Sequence, residues 1–186
     1  RSGRRMSPVL GRRHWVFDLD GTLTLAAHDF DAIREELGLP EGRPILESLA
    51  LLPAAEQAPL RARLAEIERT IAARSTLAPG ARALLEHLAD LGAELGILTR
   101  NTRENALITL EAVGLLEHFE EGAVLGRDEA PPKPDPAGVK VHLERWGGCG
   151  ASAVMVGDFE FDLRAGRAAG AMTVYVDPHG SFPYRA

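Results

Sequence analysis

Cysteine is almost missing from this chain: Cys149 stands alone among 186 residues. A single thiol excludes an internal disulfide and fits a reducing compartment, so a cytoplasmic location is expected. With no Cys/His cluster of ligand spacing, a zinc centre is excluded too. No apolar run reaches the ~18 to 20 residues that a membrane span requires, so no membrane partner is expected. Positive charge is also in short supply. The net charge is −6 and no dense basic stretch offsets it, which argues against nucleic acid as a partner. Lysine is scarcest, with only Lys133 and Lys140 against 19 arginines. Internal repeats and low-complexity linkers are absent. What is present, 45 % apolar and 26 % charged residues, is the make-up of a globular protein with one core and room for a small insertion. No feature sets an oligomeric state, and a monomer is the expectation. Arg1 to Arg5 precede Met6 and lead into no apolar stretch, so residues 1–13 are read as an N-terminal tail whose first part is an expression remnant rather than a signal peptide.

Short apolar runs alternate with helical patterns along the rest of the chain. Trp15-Val16-Phe17, Leu95-Gly96-Ile97-Leu98, Ala153-Val154-Met155-Val156 and Thr173-Val174-Tyr175-Val176 read as strands, with Ala123-Val124-Leu125 as a weaker one. Continuous apolar runs of this length indicate strands buried on both faces, hence a parallel sheet. Between them, Pro79-Gly80 opens a helix that Gly92 ends. Asn101 with Glu104 resembles a cap and its reciprocal partner, and Gly114 closes that helix. Asp135-Pro136 reads as a cap followed by proline in the first helical position, and residues 161–169 as a helix stopped by Gly170. The alternation predicts an α/β fold, a doubly wound, mainly parallel Rossmann-like sheet. Residues 25–78 interrupt it with no convincing strand. Their apolar stripes, Phe30, Ile33 and Leu37, then Leu60, Leu64, Ile67 and Ile71, predict a small all-helical insertion that Pro53 and Pro59 divide. The core is then residues 14–24 and 79–186.

The polar residues fall in an informative place. Asp18, Thr99 and Asp158 each stand at, or one residue past, the carboxyl end of a predicted strand. Ligands of open α/β sheets bind outside those ends. One Asp after a strand is usually a cap or turn residue; three polar groups from distant segments at one sheet edge are harder to explain that way. In these positions the chain resembles the haloacid dehalogenase superfamily. Asp18-Leu19-Asp20-Gly21-Thr22 resembles its first motif, D-x-D-G-T, and Thr99 after a strand resembles its second. Lys133-Pro134-Asp135-Pro136 resembles the third, and Gly157-Asp158 through Asp162 the fourth, G-D-x-x-x-D. The four occur in the expected order over residues 14–178. The resemblance implies a first strand lying between the second and fourth. It also implies that residues 25–78 form a helical cap, and that the chain is a Mg²⁺-dependent phosphatase of small phosphorylated metabolites, phosphoglycolate phosphatase-like.

The chemistry of the residues agrees. Phosphoryl transfer needs an in-line nucleophile, charge neutralisation and an acid for the leaving group. Asp18 is the expected nucleophile. Asp20 is the expected acid, brought to the same pocket by a bend at Gly21. Crowded carboxylates resist ionisation unless a cation sits among them, and Mg²⁺ takes oxygen ligands. Asp18, the Asp20 carbonyl and Asp158 are expected as direct ligands, with Asp162 acting through water or by orienting Lys133. Thr99 and Lys133 are expected on the phosphate, joined by backbone N–H groups of Leu19 and Asp20 and by Arg100 and Asn101. Asn101 has a cap role as its alternative. His28, Arg34 and Arg43 are candidates for substrate contact; for His28 a plain loop role and for Arg34 a solvated helix face are preferred. Glu160 is a candidate to hold a metal-bound water or simply to begin a helix. An acid at position 20 argues against dehalogenase chemistry, and the lack of lysine in residues 25–78 argues against a Schiff-base phosphonatase. A phosphosugar mutase and a catalytically silent binding domain are the alternatives.

Overall fold

The structure is a computed structural model and describes residues 8–180; the reading of Arg1 to Arg5 lies outside the described residues. Five strands, β1 (His14–Phe17), β2 (Glu94–Leu98), β3 (Val124–Leu125), β4 (Ala153–Gly157) and β5 (Met172–Tyr175), form one sheet in the order β3-β2-β1-β4-β5. Every pairing is parallel, and β1 lies between β2 and β4 as the resemblance implies. Phe17 pairs with Ile97 on one side and Val156 on the other. The carboxyl ends of the three central strands are therefore level.

Seven α-helices are present among the described residues. Three follow β1: α1 (Phe30–Glu36), α2 (Ile45–Ala50) and α3 (Ala54–Ala72). Four accompany the other strands: α4 (Ala81–Asp90), α5 (Arg103–Ala112), α6 (Ala137–Arg145) and α7 (Glu160–Ala168). Successive β1 residues point to opposite faces. Trp15 and Phe17 pack with Leu85, Leu88 and Leu110 of α4 and α5, whereas Val16 packs with Val139 and Leu143 of α6 and Ala165 of α7. Ile33, Leu37, Ile45, Leu49 and Leu64 make a separate apolar cluster within α1 to α3. No helix among the described residues is long and apolar enough to cross a membrane.

The structure departs from the sequence reading in several places. Pro59 does not divide the insertion, because it lies inside the 19-residue α3. Pro59 and Ala55 are both exposed, so the ring has space and the Ala55 carbonyl, which loses its helical partner, can turn to water. Helix α2 was not foreseen. The cap of α5 is Thr102, whose side chain accepts from the Asn105 N–H, rather than Asn101; Asn101 instead accepts one residue earlier, from the Thr102 N–H at 2.8 Å. Pro136 is the cap of α6 rather than its first residue, while Asp135 accepts from the Ala137 N–H at 2.8 Å. Part of the expected tail is docked: Val9 and Leu10 pack on the core, and the Arg13 carbonyl accepts from the Glu94 N–H at 2.7 Å.

Candidate active site

The edge of the sheet gathers the first motif. Asp18 continues β1, its N–H donating to the Val156 carbonyl at 2.9 Å. The chain then turns so sharply that the Leu19 carbonyl accepts from the N–H groups of Thr22, Leu23 and Thr24. Gly21 permits the turn with φ of 86°, and a Cβ there would lie 2.5 Å from Oδ2 of Asp158. Only glycine supplies both the left-handed backbone and the space. The side chain of Leu19 is buried in the core. The backbone N–H groups of Leu19 and Asp20 have no acceptor among the described residues.

Around Asp18 the other motifs close in. The Lys133 ammonium, 1 % exposed, donates to Oδ1 of Asp18 and Oδ1 of Asp162, each at 2.7 Å. The second Asp162 oxygen accepts from the Phe159 N–H at 3.0 Å at the start of α7. Gly157 leaves room for this, since a Cβ would lie 2.2 Å from the Asp162 carboxyl. The Thr22 hydroxyl lies 3.2 Å from Asp18 and 3.1 Å from Asp158, its one proton shared between them. Thr22 is a site residue that the sequence reading quoted within a motif but gave no role. Asp18, Asp158 and Asp162 each offer an oxygen within 4.8 Å of the others. An all-oxygen set of carboxylates suits a hard divalent cation.

The crowding of carboxylates shows in the acidities. Burial first, then repulsion from Asp18, pushes the Asp158 carboxyl up to about 7. Burial raises Asp162 to about 6 even though the Lys133 ammonium pulls the other way. Burial also raises Asp20, with His28 the largest opposing influence and the Asn101 amide a smaller one. For Lys133, burial works against the charge, but the Asp162 and Asp18 carboxylates outweigh it and hold the ammonium above its ordinary value.

A cavity of about 630 Å³ opens over this edge. The sheet, its loops and α7 contribute Asp18, Asp20, Thr99, Arg100, Asn101, Lys133, Asp158, Glu160 and Asp162, and residues 25–78 contribute His28 and Arg43 from loops and Arg34, Ile45, Leu64 and Glu68 from helices. Thr99 accepts through its hydroxyl from the Asn101 N–H at 3.0 Å. Arg34 is not on a solvated face: its side chain is 17 % exposed and paired with Asp31. Arg100, expected on the phosphate, has its guanidinium engaged by Glu47, the Lys133 carbonyl and the Phe161 ring. Glu68 and Glu47 were missed altogether. Glu68 is buried on α3 and paired with Arg127, and burial raises its carboxyl to about 7.

Known proteins resemble this chain in sequence and in fold. The profile of haloacid dehalogenase-like hydrolases matches residues 13–170. A phosphoglycolate phosphatase of Rhodospirillum rubrum is 32 % identical, over 86 % of this chain and 77 % of its own. One from Cereibacter sphaeroides is 33 % identical, over 83 % and 80 %. The crystal structure of a hydrolase from Pseudomonas syringae superposes with a TM-score of 0.71 at 23 % identity, covering 88 % of this chain and 84 % of that one. A match over most of the sequence, with the same fold beneath it, places this chain in the haloacid dehalogenase-like hydrolase family.

Proposed function

We propose that the protein hydrolyses a small phosphomonoester through an aspartyl phosphate on Asp18, with phosphoglycolate the first substrate to test. The observation that carries this reading is Asp18 itself: one carboxylate oxygen held by the Lys133 ammonium, the other beside the Thr22 hydroxyl, at the floor of the cavity. Mg²⁺ is the expected cation, held by Asp18, Asp158 and the Asp20 carbonyl, where it would neutralise charge on the phosphoryl oxygens. Asp162, with one oxygen on Lys133 and the other on the Phe159 N–H, orients the lysine.

Asp18 attacks phosphorus, forming a carboxyl O–P bond as the ester P–O bond breaks. The departing oxygen takes the proton of Asp20, whose burial favours the protonated carboxyl. Asp20, now ionised, accepts a proton from water. That water attacks phosphorus, and phosphate leaves as the Asp18 carboxylate is restored. Lys133, the Thr99 side chain and the Leu19 and Asp20 N–H groups offset the charge that grows on the equatorial oxygens. Residues 25–78 act as a cap that excludes bulk water when closed.

The names of the relatives support phosphoglycolate, and so does the chemistry of the cap wall. His28, Arg34 and Arg43 line the cavity from the cap, where the leaving group would lie, and a carboxylate there would meet the guanidinium groups of Arg34 and Arg43. A panel of phosphate esters with Mg²⁺ tests the reading: phosphoglycolate, sugar phosphates and an aryl phosphate. Phosphate release should fall at least ~10³-fold in Asp18→Asn. No release from any ester, or a clear preference for a phosphoprotein or a long nucleic acid, would overturn it.

A further inference from the structure

Two glutamates reach down from the cap onto the loops that hold the phosphate site. Glu47 on α2 accepts from Nη2 of Arg100 with both oxygens, at 2.9 and 2.7 Å. Glu68 on α3 accepts from Nη1 of Arg127 with both, at 3.0 and 2.8 Å. Neither arginine stops there. Arg100, next to Thr99, donates through Nη1 to the Lys133 carbonyl. Arg127 donates to the Arg100 carbonyl at 3.3 Å, and its backbone N–H to the Asn101 carbonyl at 2.9 Å. Arg100 thus holds a cap carboxylate on Nη2 and a backbone carbonyl of an active-site loop on Nη1, and Arg127 reaches both kinds of acceptor through Nη1 alone.

Packing alone does not call for this. The Glu68–Arg127 side chains are 11 % and 5 % exposed, and a buried ion pair returns little stability beyond its own desolvation cost. What such a pair supplies is geometry that exists only in one arrangement of its partners. Glu47 is absent from the cavity wall, so its carboxylate is not there to touch substrate. With the cap lifted, Arg100 and Arg127 lose their anions, and the carbonyls of Lys133 and Arg100 lose donors held in a fixed direction.

On the phosphatase reading above, we propose that Glu47 and Glu68 are positioning residues: through Arg100 and Arg127 they make the placement of Lys133 and of the Thr99-to-Asn101 loop conditional on a closed cap. Closure then completes the charge-neutralising side of the site at the moment water is excluded.

The test is steady-state kinetics of full-length Glu47→Gln, Glu68→Gln and the double variant, at least one pH unit above the Glu68 value near 7. Assays use saturating Mg²⁺ with phosphoglycolate and an aryl phosphate, below every variant's melting temperature. Glu47→Gln should lower kcat about fivefold, as suits a half-exposed pair. Glu68→Gln should lower it about thirtyfold, as suits a buried one, with KM changed much less. Glu47→Asp, which keeps the charge, should recover part of the loss. A wild type active on either ester with all variants at wild-type kcat overturns the proposal alone. So does a rise confined to KM, which would make the glutamates substrate contacts. A wild type inactive on every ester overturns this proposal and the phosphatase reading together.

Discussion

Replacing Asp158 by asparagine should stabilise the protein in chelator while removing its response to Mg²⁺. The side chain keeps its shape, and its Oδ1 can still accept from the Thr22 hydroxyl, now 3.1 Å away. What disappears is a negative charge that burial and Asp18 both oppose, raising the carboxyl from 3.8 to about 7. Each unit corresponds to ~1.4 kcal/mol, so the ceiling is ~4 kcal/mol; screening of a half-buried group brings the expectation to ~2 kcal/mol. For a chain of this size that is ~4 to 8 °C in Tm. The sign follows from linkage. A carboxyl raised in the folded state costs nothing below its unfolded value of 3.8, costs progressively more as pH rises, and costs its full amount above about 7. In chelator the two proteins should therefore melt together near about pH 4, with the asparagine variant ahead at about pH 8. Excess Mg²⁺ should reverse the order, because the wild type gains ~2.7 kcal/mol at a hundred times Kd and the variant lacks a ligand. Differential scanning fluorimetry across pH, with and without Mg²⁺, reads both effects. A variant that melts below wild type at the alkaline end in chelator, or that keeps the full Mg²⁺ response, would refute the idea that these acids are crowded for the sake of a cation.

Lys133→Met should cost about 3 to 5 kcal/mol at neutral pH, since it leaves the buried Asp18 and Asp162 charges unpaired. The loss should shrink on acidification as the Asp162 carboxyl, raised by burial to about 6, takes up its proton; urea unfolding at two pH values checks it, and the same variant should be inactive on every ester. Pro59→Ala should raise stability by about 1 to 3 kcal/mol, restoring a helical N–H on an exposed face of α3. An unchanged or lower Tm would mean that α3 does not run unbroken through this position.

The legible parts of this fold are those whose cause is local. Strands buried on both faces announce themselves as unbroken apolar runs, and the residue ending each run is on the sheet edge by construction of the chain. Asp18, Thr99 and Asp158 could be grouped on that basis alone. Lys133 was legible only by its motif, because its loop has no periodic signal of its own. Helix α2 was invisible for a related reason. It has six residues and no side-chain cap, and Ile45, Leu46, Ser48 and Leu49 are all buried, so no polar face marks a period. The caps of α5 and α6 were each placed one residue out, because Asn101, Thr102 and Asp135 are all competent acceptors and only the backbone angles choose among them.

Glu47 and Glu68 escaped because their partners lie 53 and 59 residues away, at Arg100 and Arg127. A charged residue on a helix is taken as solvated unless something contradicts it. For Glu68 something did: Leu64, Glu68 and Ala72 fall four apart and are the three buried positions of α3. An acid in register with an apolar stripe cannot be left unpaired in the interior, so that spacing implies a basic partner on whatever surface the stripe covers. In a chain with almost no lysine that partner is an arginine, whose fixed fork of donors leaves spare N–H groups beyond the ion pair. At Arg127 and Arg100 those donors fall on the backbone of the candidate active site, and under the role proposed for Glu47 and Glu68 this makes the burial of charge in residues 25–78 a matter of geometry at that site rather than of stability.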